Sequence, residues 1–572
     1  MSVVEKALRG GSYVLVQRAF TFALNALVLR KLQLSVTGAA AVRLELALAS
    51  IFLLRDGFRL AFLRMPSLDQ APSSASRALV QQLVNVAWLS TAFSWLVALA
   101  IAAFSLRSAG GAAEPNTAAA TDGLADYTRV LVMYCAAAAL EALAEPMFVL
   151  AHCSVLVSWQ VAAQSAGFVA RALVQYACIF ALDLGLLAYG FAELAYASAL
   201  LCVFAGLFWR RIYAREPPPG QPGFALTSMA DLLPHAPRAS DAHAGHWFHP
   251  QLCALLVPLG LQSGVKYLLT EGDKWVLSLF ASFQNMGVYG IVFHLGSLVP
   301  RIVFLPIEEA TKTIFSKMAS HRAESSDSSS SSSQAPSAHD GFHLVLVLLK
   351  LMHVVGFVFA CFGVNYAHTL VLLLYGAEKA RLGVSDALAV YCVYILFLGL
   401  NGICEAFVHA VGSAAQLMRL NKLMAGFFVL YAASAALFMS ALQLGTPGIV
   451  LANCVNMGCR ILYCLSFMAA HFVGGKDAAR GLIAFWRQSL PHRAVLLAFG
   501  VSFAVTSASS RLLLGGAHSE SWPRHALHVA IGAACFAGVA LALYAKERRL
   551  LLEQLAVLRR SNRQPQQKPH EE

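Results

Sequence analysis

The sequence predicts an all-α polytopic membrane protein, and three observations support this fold class. Of the 572 residues, 58% are hydrophobic and only 13% are charged, and the mean hydropathy is +0.64. A soluble chain of this length needs more charged side chains than this to cover its surface. Apolar runs of about 20 residues recur from end to end, and each is long enough to cross a bilayer as a helix.

The apolar runs predict about 14 transmembrane helices. Their centres lie near residues 22, 51, 93, 137, 168, 200, 268, 302, 355, 397, 431, 458, 502 and 534. Two segments interrupt this series. Segment 212–249 contains PPPGQPG and is expected to be a cytosolic linker, whereas the serine-rich segment 320–340 is expected to be a disordered loop.

Internal similarity predicts two pseudo-symmetric six-helix lobes around a central cavity. ALDLG at 181–185 matches ALQLG at 441–445, and RDGFRLAFLRM at 55–65 resembles EEATKTIFSKM at 308–318. Repeats in the same order are typical of transporters built from duplicated lobes. The predicted parts are an N-lobe, the linker, a C-lobe, and a final helix pair with a basic cytosolic tail: 1–211, 212–249, 250–472 and 473–572.

The formal net charge of +12 is distributed as a topology signal and does not indicate nucleic-acid binding. Basic residues gather in alternate loops, as at Arg210, Arg211 and Arg215. The intervening loops hold fewer, as at Lys379 and Arg381. Because Lys and Arg are enriched on the cytosolic side of membrane proteins, both termini are expected in the cytosol.

The sequence contains no motif for enzymatic chemistry, a cofactor or a metal. Its 12 cysteines form no C-x-x-C pair, which disfavours structural zinc and a disulfide framework. FVGGKD at 472–477 lacks the upstream glycine and the hydroxyl residue of a phosphate-binding loop, so ATP-driven transport is disfavoured. We expect a protein that is not an enzyme and that uses no cofactor.

Charged side chains recur on one face of several predicted helices. The second helix, taken as straight, carries four of them within an arc of about 100°: Glu45, Arg55, Asp56 and Arg59. The eighth helix carries four almost in register: His294, Arg301, Glu308 and Lys312. Because each charge at the bilayer centre costs a few kcal/mol, these stripes are expected to face one another or water inside the bundle. A structural ion-pair network explains any single stripe equally well, but the number of helices involved favours a polar cleft.

A family resemblance extends over both predicted lobes. It is carried by QRAFTFALNALVLR (17–30), VRLELALASIFLLRDGFR (42–59), LLTEGDKWVLSLF (268–280), GVYGIVFHLGSLVPRIVFLPIEEA (287–310), LGLNGICEAF (398–407) and GIVLANCVNMGCRI (448–461). These segments are similar to signature segments of the eukaryotic oligosaccharide-flippase-domain family, which acts in dolichol-linked oligosaccharide assembly in the endoplasmic reticulum. The resemblance implies a fold like the MATE/MOP exporter superfamily, which includes bacterial peptidoglycan-precursor flippases. It implies as substrate Man5GlcNAc2-PP-dolichol, moved from the cytosolic to the lumenal leaflet for protein N-glycosylation.

The resemblance and the helix faces together give the candidate site. Planar guanidinium groups bind phosphate oxygens bidentately, and amide or carboxylate groups can hydrogen-bond sugars. The candidate substrate-binding residues are Arg18, Asn25, Arg55, Arg59, Arg301, Asn401, Glu405, Asn453 and Arg460. The candidate charge-balancing and gating residues are Glu45, Asp56, Glu271, Asp273, Lys274, Glu308 and Glu309.

The leading interpretation is an ATP-independent, alternating-access glycolipid flippase of the endoplasmic reticulum membrane. Two alternatives stay open: a non-transporting accessory factor of dolichol-linked oligosaccharide assembly, and a cation-coupled exporter of small molecules. A coupled exporter needs a titratable group in the membrane, for which Glu141 and Asp56 are the candidates. The expected partners are the dolichol diphosphate oligosaccharide and the bilayer. A contact with the glycosylation machinery of the endoplasmic reticulum is left open.

Overall fold

The computed structural model describes residues 24–63, 74–111, 126–154, 156–213, 226–237, 246–327, 338–472, 478–515 and 521–563. Within these ranges the secondary structure is helical and contains no strand. The chain forms two compact units, Met1–Gly287 (unit 1) and Val288–Glu572 (unit 2). The helix Pro250–Phe280 therefore packs in unit 1, although the sequence analysis assigns it to the C-lobe; that division into lobes stays a prediction.

The predicted fold class is confirmed. Twelve helices in the described ranges are long and apolar enough to cross a membrane, and each contains one predicted centre. The predicted centre near 168 lies in helix Val157–Phe180, which carries Gln160, Gln164 and Arg171 and is less apolar than the twelve. The predicted centre near 22 lies outside the described residues. The count of about 14 stays a prediction.

The main helices of unit 1 lie between Leu34 and Phe280. They are α1 (Leu34–Ile51, including a π turn at Ala39–Leu44), α2 (Arg55–Phe62), α3 (Ser74–Gly111), α4 (Tyr127–Leu143), α5 (Glu145–Cys153), α6 (Val157–Phe180), α7 (Leu187–Ile212) and α8 (Pro250–Phe280). Apolar side chains of α1, α4, α6 and α7 form one buried cluster. Another cluster joins α2 to α3, α5 and α8, so α8 is part of the packed core of this unit.

The start of α1 touches the segment after α8 through backbone. A Cβ atom added to Gly38 would meet the carbonyl oxygen of Phe283, and one added to Gly287 would meet the carbonyl oxygen of Leu34. Glycine at both positions lets two helices approach at backbone distance, as small residues do in membrane helix pairs.

The predicted straight second helix is wrong, because the helix breaks at residues 52–54. Phe52 has φ −96° and ψ 16°, and the chain makes turns there before α2 begins at Arg55. The four charges predicted on one face are therefore divided between two neighbours. Arg55 and Arg59 face α4 and α5, whereas Glu45 and Asp56 both face α8.

Part of the segment 212–249 is packed on unit 1, which the sequence analysis did not anticipate. Leu226 and Leu232 are buried in its core. Buried amides of α3 bind the backbone of this segment: Gln81 Nε2 donates to the carbonyl of Leu233 at 3.0 Å, and Asn85 Nδ2 donates to that of Trp247 at 2.8 Å. Side-chain amides of α3 therefore satisfy backbone carbonyl groups of this segment.

The longer helices of the rest of the chain belong to unit 2. They are α9 (Phe283–Gly296, which begins in unit 1), α10 (Leu305–Asp327), α11 (Ala338–Val358), α12 (Val364–Tyr375), α13 (Ser385–Val411), α14 (Ala414–Ala436), α15 (Gly445–Phe472), α16 (Ala478–Ser489), α17 (Arg493–Leu514) and α18 (Trp522–Arg563). Several are joined by π turns, of which the turn Pro300–Phe304 between α9 and α10 matters most for the site. Buried Phe407 of α13 lies among aromatic side chains of α10 and α15.

The disordered loop predicted for 320–340 is too long, because α10 continues to Asp327 and α11 begins at Ala338. The last helix also extends through the predicted basic tail as far as Arg563. A buried polar contact ties α18 to the rest of unit 2. His528 Nδ1 lies 2.9 Å from Ser509 Oγ, and its Nε2 lies 3.2 Å from the carbonyl of Asn365.

Candidate functional site

The two candidate arginines of α2 are paired with glutamates. Arg55 Nη1 lies 2.5 Å from Glu141 Oε1. Arg59 binds Glu145 with both nitrogens, Nε to Oε1 and Nη2 to Oε2, each at 2.7 Å. The guanidinium groups also stack on aromatic rings, Arg59 at 3.6 Å from the centroid of Phe148. These mostly buried pairs, of which Arg59–Glu145 is bidentate, neutralise the charges and hold α2 against α4 and α5.

The other charges of the predicted second-helix stripe face α8. Asp56 Oδ2 lies 2.8 Å from Lys266 Nζ, with side chains 54% and 63% exposed. Glu45 and Glu271 share Lys274, whose Nζ lies 3.1 and 2.9 Å from their carboxylates. The seam between α1–α2 and α8 is therefore a row of ion pairs, buried near Lys274 and open near Lys266.

The remaining candidates of unit 1 have local roles or lie outside the described residues. Asp273 Oδ1 accepts a hydrogen bond from the backbone N–H of Lys274 at 2.8 Å, beside the row of ion pairs. Asn25 is half-buried near the start of the described chain. Arg18 falls outside the described residues.

Sequence reasoning left three carboxylates out of the candidate site. Glu141 and Glu145 are the partners of Arg55 and Arg59. Buried Glu193 lies 3.2 Å from Arg171, which joins α7 to α6. The spacing contains a signal for the first two pairs, because two arginines four residues apart match two glutamates four residues apart in the span Tyr127–Cys153.

In unit 2, Arg301 differs from these arginines. It lies in the π turn that follows Pro300, near the middle of the span Phe283–Met318, and its side chain is exposed. Among the residues that the structure describes, it has no hydrogen-bond or ion-pair partner. A π turn adds one residue to a helical turn and is frequent at functional sites. The extra residue also rotates Arg301 relative to Glu308, so the straight register predicted for the eighth helix is wrong.

The two glutamates that follow Arg301 point differently. Glu309 is exposed, whereas Glu308 is half-buried with its carboxylate against Gly402 of α13. A side chain at Gly402 would collide with that carboxylate. Glycine at this position therefore allows Glu308 to reach the surface of α13.

Glu405 is the centre of a polar cluster next to this contact. Arg460 Nη2 lies 2.9 and 2.7 Å from its two carboxylate oxygens, and Asn401 Nδ2 donates to Oε2 at 2.9 Å. His409 Nε2 lies 3.6 Å from Glu405 Oε1. Two buried atoms of the cluster have no hydrogen-bond partner in the described structure, Asn401 Oδ1 and Arg460 Nε. Asn453, about two helix turns before Arg460, is half-buried.

The candidate residues thus form separate groups within each unit. Unit 1 holds the pairs of α2 and the row on α8, and unit 2 holds Arg301, Glu308 and the cluster at Glu405. No group of three or more His, Cys, Asp or Glu side chains in the described ranges could hold a metal ion.

The fold and these intramembrane charges define a polytopic helical membrane protein with the architecture of a transporter. The lipid II flippase MurJ in an inward closed conformation superposes with a TM-score of 0.55 at 12% sequence identity, covering 93% of this chain and 98% of that one. A MATE family multidrug transporter of the MOP superfamily, in an inward-facing conformation, superposes with a TM-score of 0.52 at 13% identity and covers 82% of this chain and 95% of that one. Identity this low establishes the fold alone.

Sequence comparison then gives the family. The Rft protein family matches residues 12–556, and the chain belongs to this family. A relative from Xenopus tropicalis is 30% identical over 91% of this chain and 90% of its own length. Relatives from Mus musculus and Dictyostelium discoideum are 29% and 26% identical; they cover 92% and 96% of this chain, and 90% and 96% of their own lengths. All three are named Man(5)GlcNAc(2)-PP-dolichol translocation protein RFT1.

Proposed function

We propose that this protein moves Man5GlcNAc2-PP-dolichol from the cytosolic to the lumenal leaflet of the endoplasmic reticulum membrane, without ATP, to support protein N-glycosylation. The names of relatives that align over nearly the whole chain support the substrate. The fold that the chain shares with the lipid II flippase MurJ supports lipid transport as the type of activity. Both termini lie in the cytosol in this proposal.

The physical task is to carry a polar headgroup through a layer that excludes it. Each hydroxyl group that loses its hydrogen bonds in hydrocarbon costs several kcal/mol, and an unpaired diphosphate costs more. A carrier therefore needs intramembrane groups that accept both kinds of contact. Irregular backbone and polar side chains are tolerated in spans only where protein or water surrounds them.

Arg301 is the observation that carries the proposal. It is an exposed guanidinium in the middle of a membrane span, with no partner among the described residues. An isolated charge there is expensive, so such residues mark substrate pathways. A guanidinium fits a diphosphate because its N–H groups match two phosphate oxygens at once. Arg55 and Arg59 are already neutralised by glutamates, which leaves Arg301 as the better diphosphate ligand.

The polar cluster at Glu405 has groups that can hydrogen-bond sugar hydroxyls. Asn401 Oδ1 is a buried acceptor without a donor in the described structure, and Arg460 Nε is a buried donor without an acceptor there. A sugar hydroxyl can donate and accept at the same time, so it can satisfy both atoms. Glu405 itself is held by Arg460 and Asn401, which fixes the position of this surface.

The direct experiment is reconstitution of the purified protein in liposomes that contain radiolabelled Man5GlcNAc2-PP-dolichol. Lipid accessible on the outer face is trapped with a mannose-binding lectin, and protein-free liposomes are the control. We expect accessibility of nearly all the labelled lipid with protein and of about half without it, and no effect of ATP. Protein that restores N-glycosylation in a deficient host but leaves accessibility at the protein-free level is an accessory factor, and the transport proposal then fails.

A further inference from the structure

Glu308 occupies an unusual place for a carboxylate. It lies within the span Phe283–Met318, half-buried, with its oxygens against the backbone of Gly402. In the described part of the chain, no basic group lies within ion-pair distance of it. By contrast, Glu141 and Asp56, the titratable candidates from the sequence, are each bound to a cation.

The charges around Glu308 come from three helices. On its own helix it interacts with Lys312 and Glu309, and across the contact with α13 it interacts with Glu405. The groups that face this cluster from every packed helix are Lys312, Glu309, Glu405, His409 and Arg460. Arg460 is already engaged by both oxygens of Glu405. A charged Glu308 is therefore a second carboxylate beside a pair that is already neutral.

A buried amide supplies a second observation; its oxygen has two lone pairs, so a donor from the protein leaves one for the sugar hydroxyl of the proposed function. Asn401 is only 8% exposed, and its Nδ2 donates to Glu405, which places the amide in the cluster. Its other atom, Oδ1, is buried without a donor in the described structure. A protonated carboxyl group is a hydrogen-bond donor, whereas a carboxylate only accepts. Protonation of Glu308, which packs on the residue next to Asn401, gives the cluster the kind of donor that it lacks.

We propose that Glu308 is a proton-binding site and that its protonation is linked to binding of the anionic diphosphate headgroup in unit 2. This inference rests on the proposed function for the identity of the anion. With Glu308 charged, Glu308, Glu405 and Arg460 together carry one net negative charge, which repels a diphosphate. With Glu308 protonated, the three carry no net charge, and the binding surface around Arg301 becomes more positive.

The sign of the linkage follows from this charge balance. Because the bound anion disfavours a charged Glu308, headgroup binding takes up a proton, and affinity rises as pH falls. A diphosphate esterified at both ends keeps its charges between about pH 5 and 8, so the pH dependence reports on the protein. Affinity is expected to rise by up to about tenfold per pH unit across the titration of Glu308.

The experiment uses full-length protein in lipid nanodiscs and a short-chain polyprenyl diphosphate chitobiose as the probe. Calorimetric titration in buffers of different ionisation enthalpy counts the protons taken up on binding. The number of protons that wild-type protein takes up per bound probe molecule should approach one. Glu308→Gln should take up none and bind at every pH as tightly as the wild type binds at low pH. Asp386→Asn, at an exposed carboxylate in the first turn of α13 that has no ion pair in the described structure, is the matched control and should behave as the wild type.

Two results overturn the proton site. One is equal proton uptake in wild type and Glu308→Gln. The other is loss of proton uptake in His409→Asn while Glu308→Gln still takes up a proton. A second measurement does not need the probe. The melting temperature of wild type minus that of Glu308→Gln should change between about pH 5 and 8, and a constant difference contradicts the site. In a third outcome, the probe binds neither the wild type nor any variant, but the difference in melting temperature still depends on pH. The substrate proposal then fails, and the proton site is retained.

Discussion

Three intramembrane arginines of unit 1 have carboxylate partners, as Arg460 has in unit 2, whereas Arg301 of unit 2 has none among the described residues. Arg55, Arg59 and Arg171 each meet a glutamate within 3.2 Å. Arg301 is exposed and has no partner in the described ranges. The same residue type therefore has two different roles. In our proposal, the paired arginines hold helices together, and Arg301 is available to the diphosphate.

The comparison also separates two kinds of glycine contact. Gly38 of unit 1 meets the backbone of its neighbour, which cannot move aside cheaply. Gly402 of unit 2 meets the end of the Glu308 side chain, which can rotate away. The contact of Gly38 in unit 1 is thus fixed, whereas the contact of Gly402 in unit 2 can change when the charge of Glu308 changes.

The largest effect is expected at the buried pair of unit 1. Arg59→Glu places two carboxylates together beside Glu145, and breaking a buried pair costs about 3–5 kcal/mol. We expect little folded protein, measured by fluorescence-detected size exclusion and melting temperature. The charge swap Arg59→Glu with Glu145→Arg should recover part of the loss. If Arg59→Glu alone melts like the wild type, the pair has no structural role.

A smaller loss is expected at the backbone contact of α1. Gly38→Ala forces a methyl group onto the carbonyl of Phe283, and overpacking of this kind costs about 1–3 kcal/mol. Gly264→Ala on α8, where a Cβ meets nothing within 4 Å, is the matched control and should be neutral or slightly stabilising. Equal melting temperatures for the two variants would show that the backbone contact is absent.

The smallest effect is expected at the open end of the ion-pair row. Lys266→Ala removes a pair whose two side chains are 63% and 54% exposed. Exposed pairs contribute about 0–1 kcal/mol, so the melting temperature should change little. If this pair opens during transport, the rate of lipid translocation should change more than the stability does. A large drop in melting temperature would place Lys266 with the structural pairs instead.

The sequence predicts the fold class well because hydrocarbon imposes a simple rule on it. Each span needs about 20 apolar residues, and this length is visible in the sequence of every one of the twelve helices. The segments that resemble the flippase-domain family also indicate the family from the sequence alone, since they extend over both predicted lobes.

Side-chain partners were harder to predict, because the arguments assumed straight helices. The helix breaks at residues 52–54, after which Arg55 and Arg59 face α4 and α5 instead of α8. The π turn at Pro300–Phe304 rotates Arg301 away from Glu308. Neither irregularity can be predicted firmly from the sequence, although a proline at position 300 favours a disturbed helix at the π turn. The equal spacing of Arg55 and Arg59 and of Glu141 and Glu145 is enough to predict those two pairs.

The docked part of 212–249 was missed for another reason. Its composition argues against a core of its own. The segment is instead held by Gln81, Asn85 and Trp88 of α3, whose side chains bind its carbonyl groups. Composition describes what a segment can do alone and not what a neighbouring helix can do for it.

The most direct test of the account compares Arg301→Gln with wild-type protein in one preparation, for both lipid translocation and melting temperature. An arginine without partners in the described ranges contributes little to folding, so the melting temperature should stay within about 2 °C, a shift that surface changes produce. Loss of a charge-assisted contact to the diphosphate, worth about 1.5–3 kcal/mol, should slow translocation by at least tenfold. An unchanged translocation rate, or a fall in melting temperature as large as that of Arg59→Glu, would contradict the role assigned to Arg301.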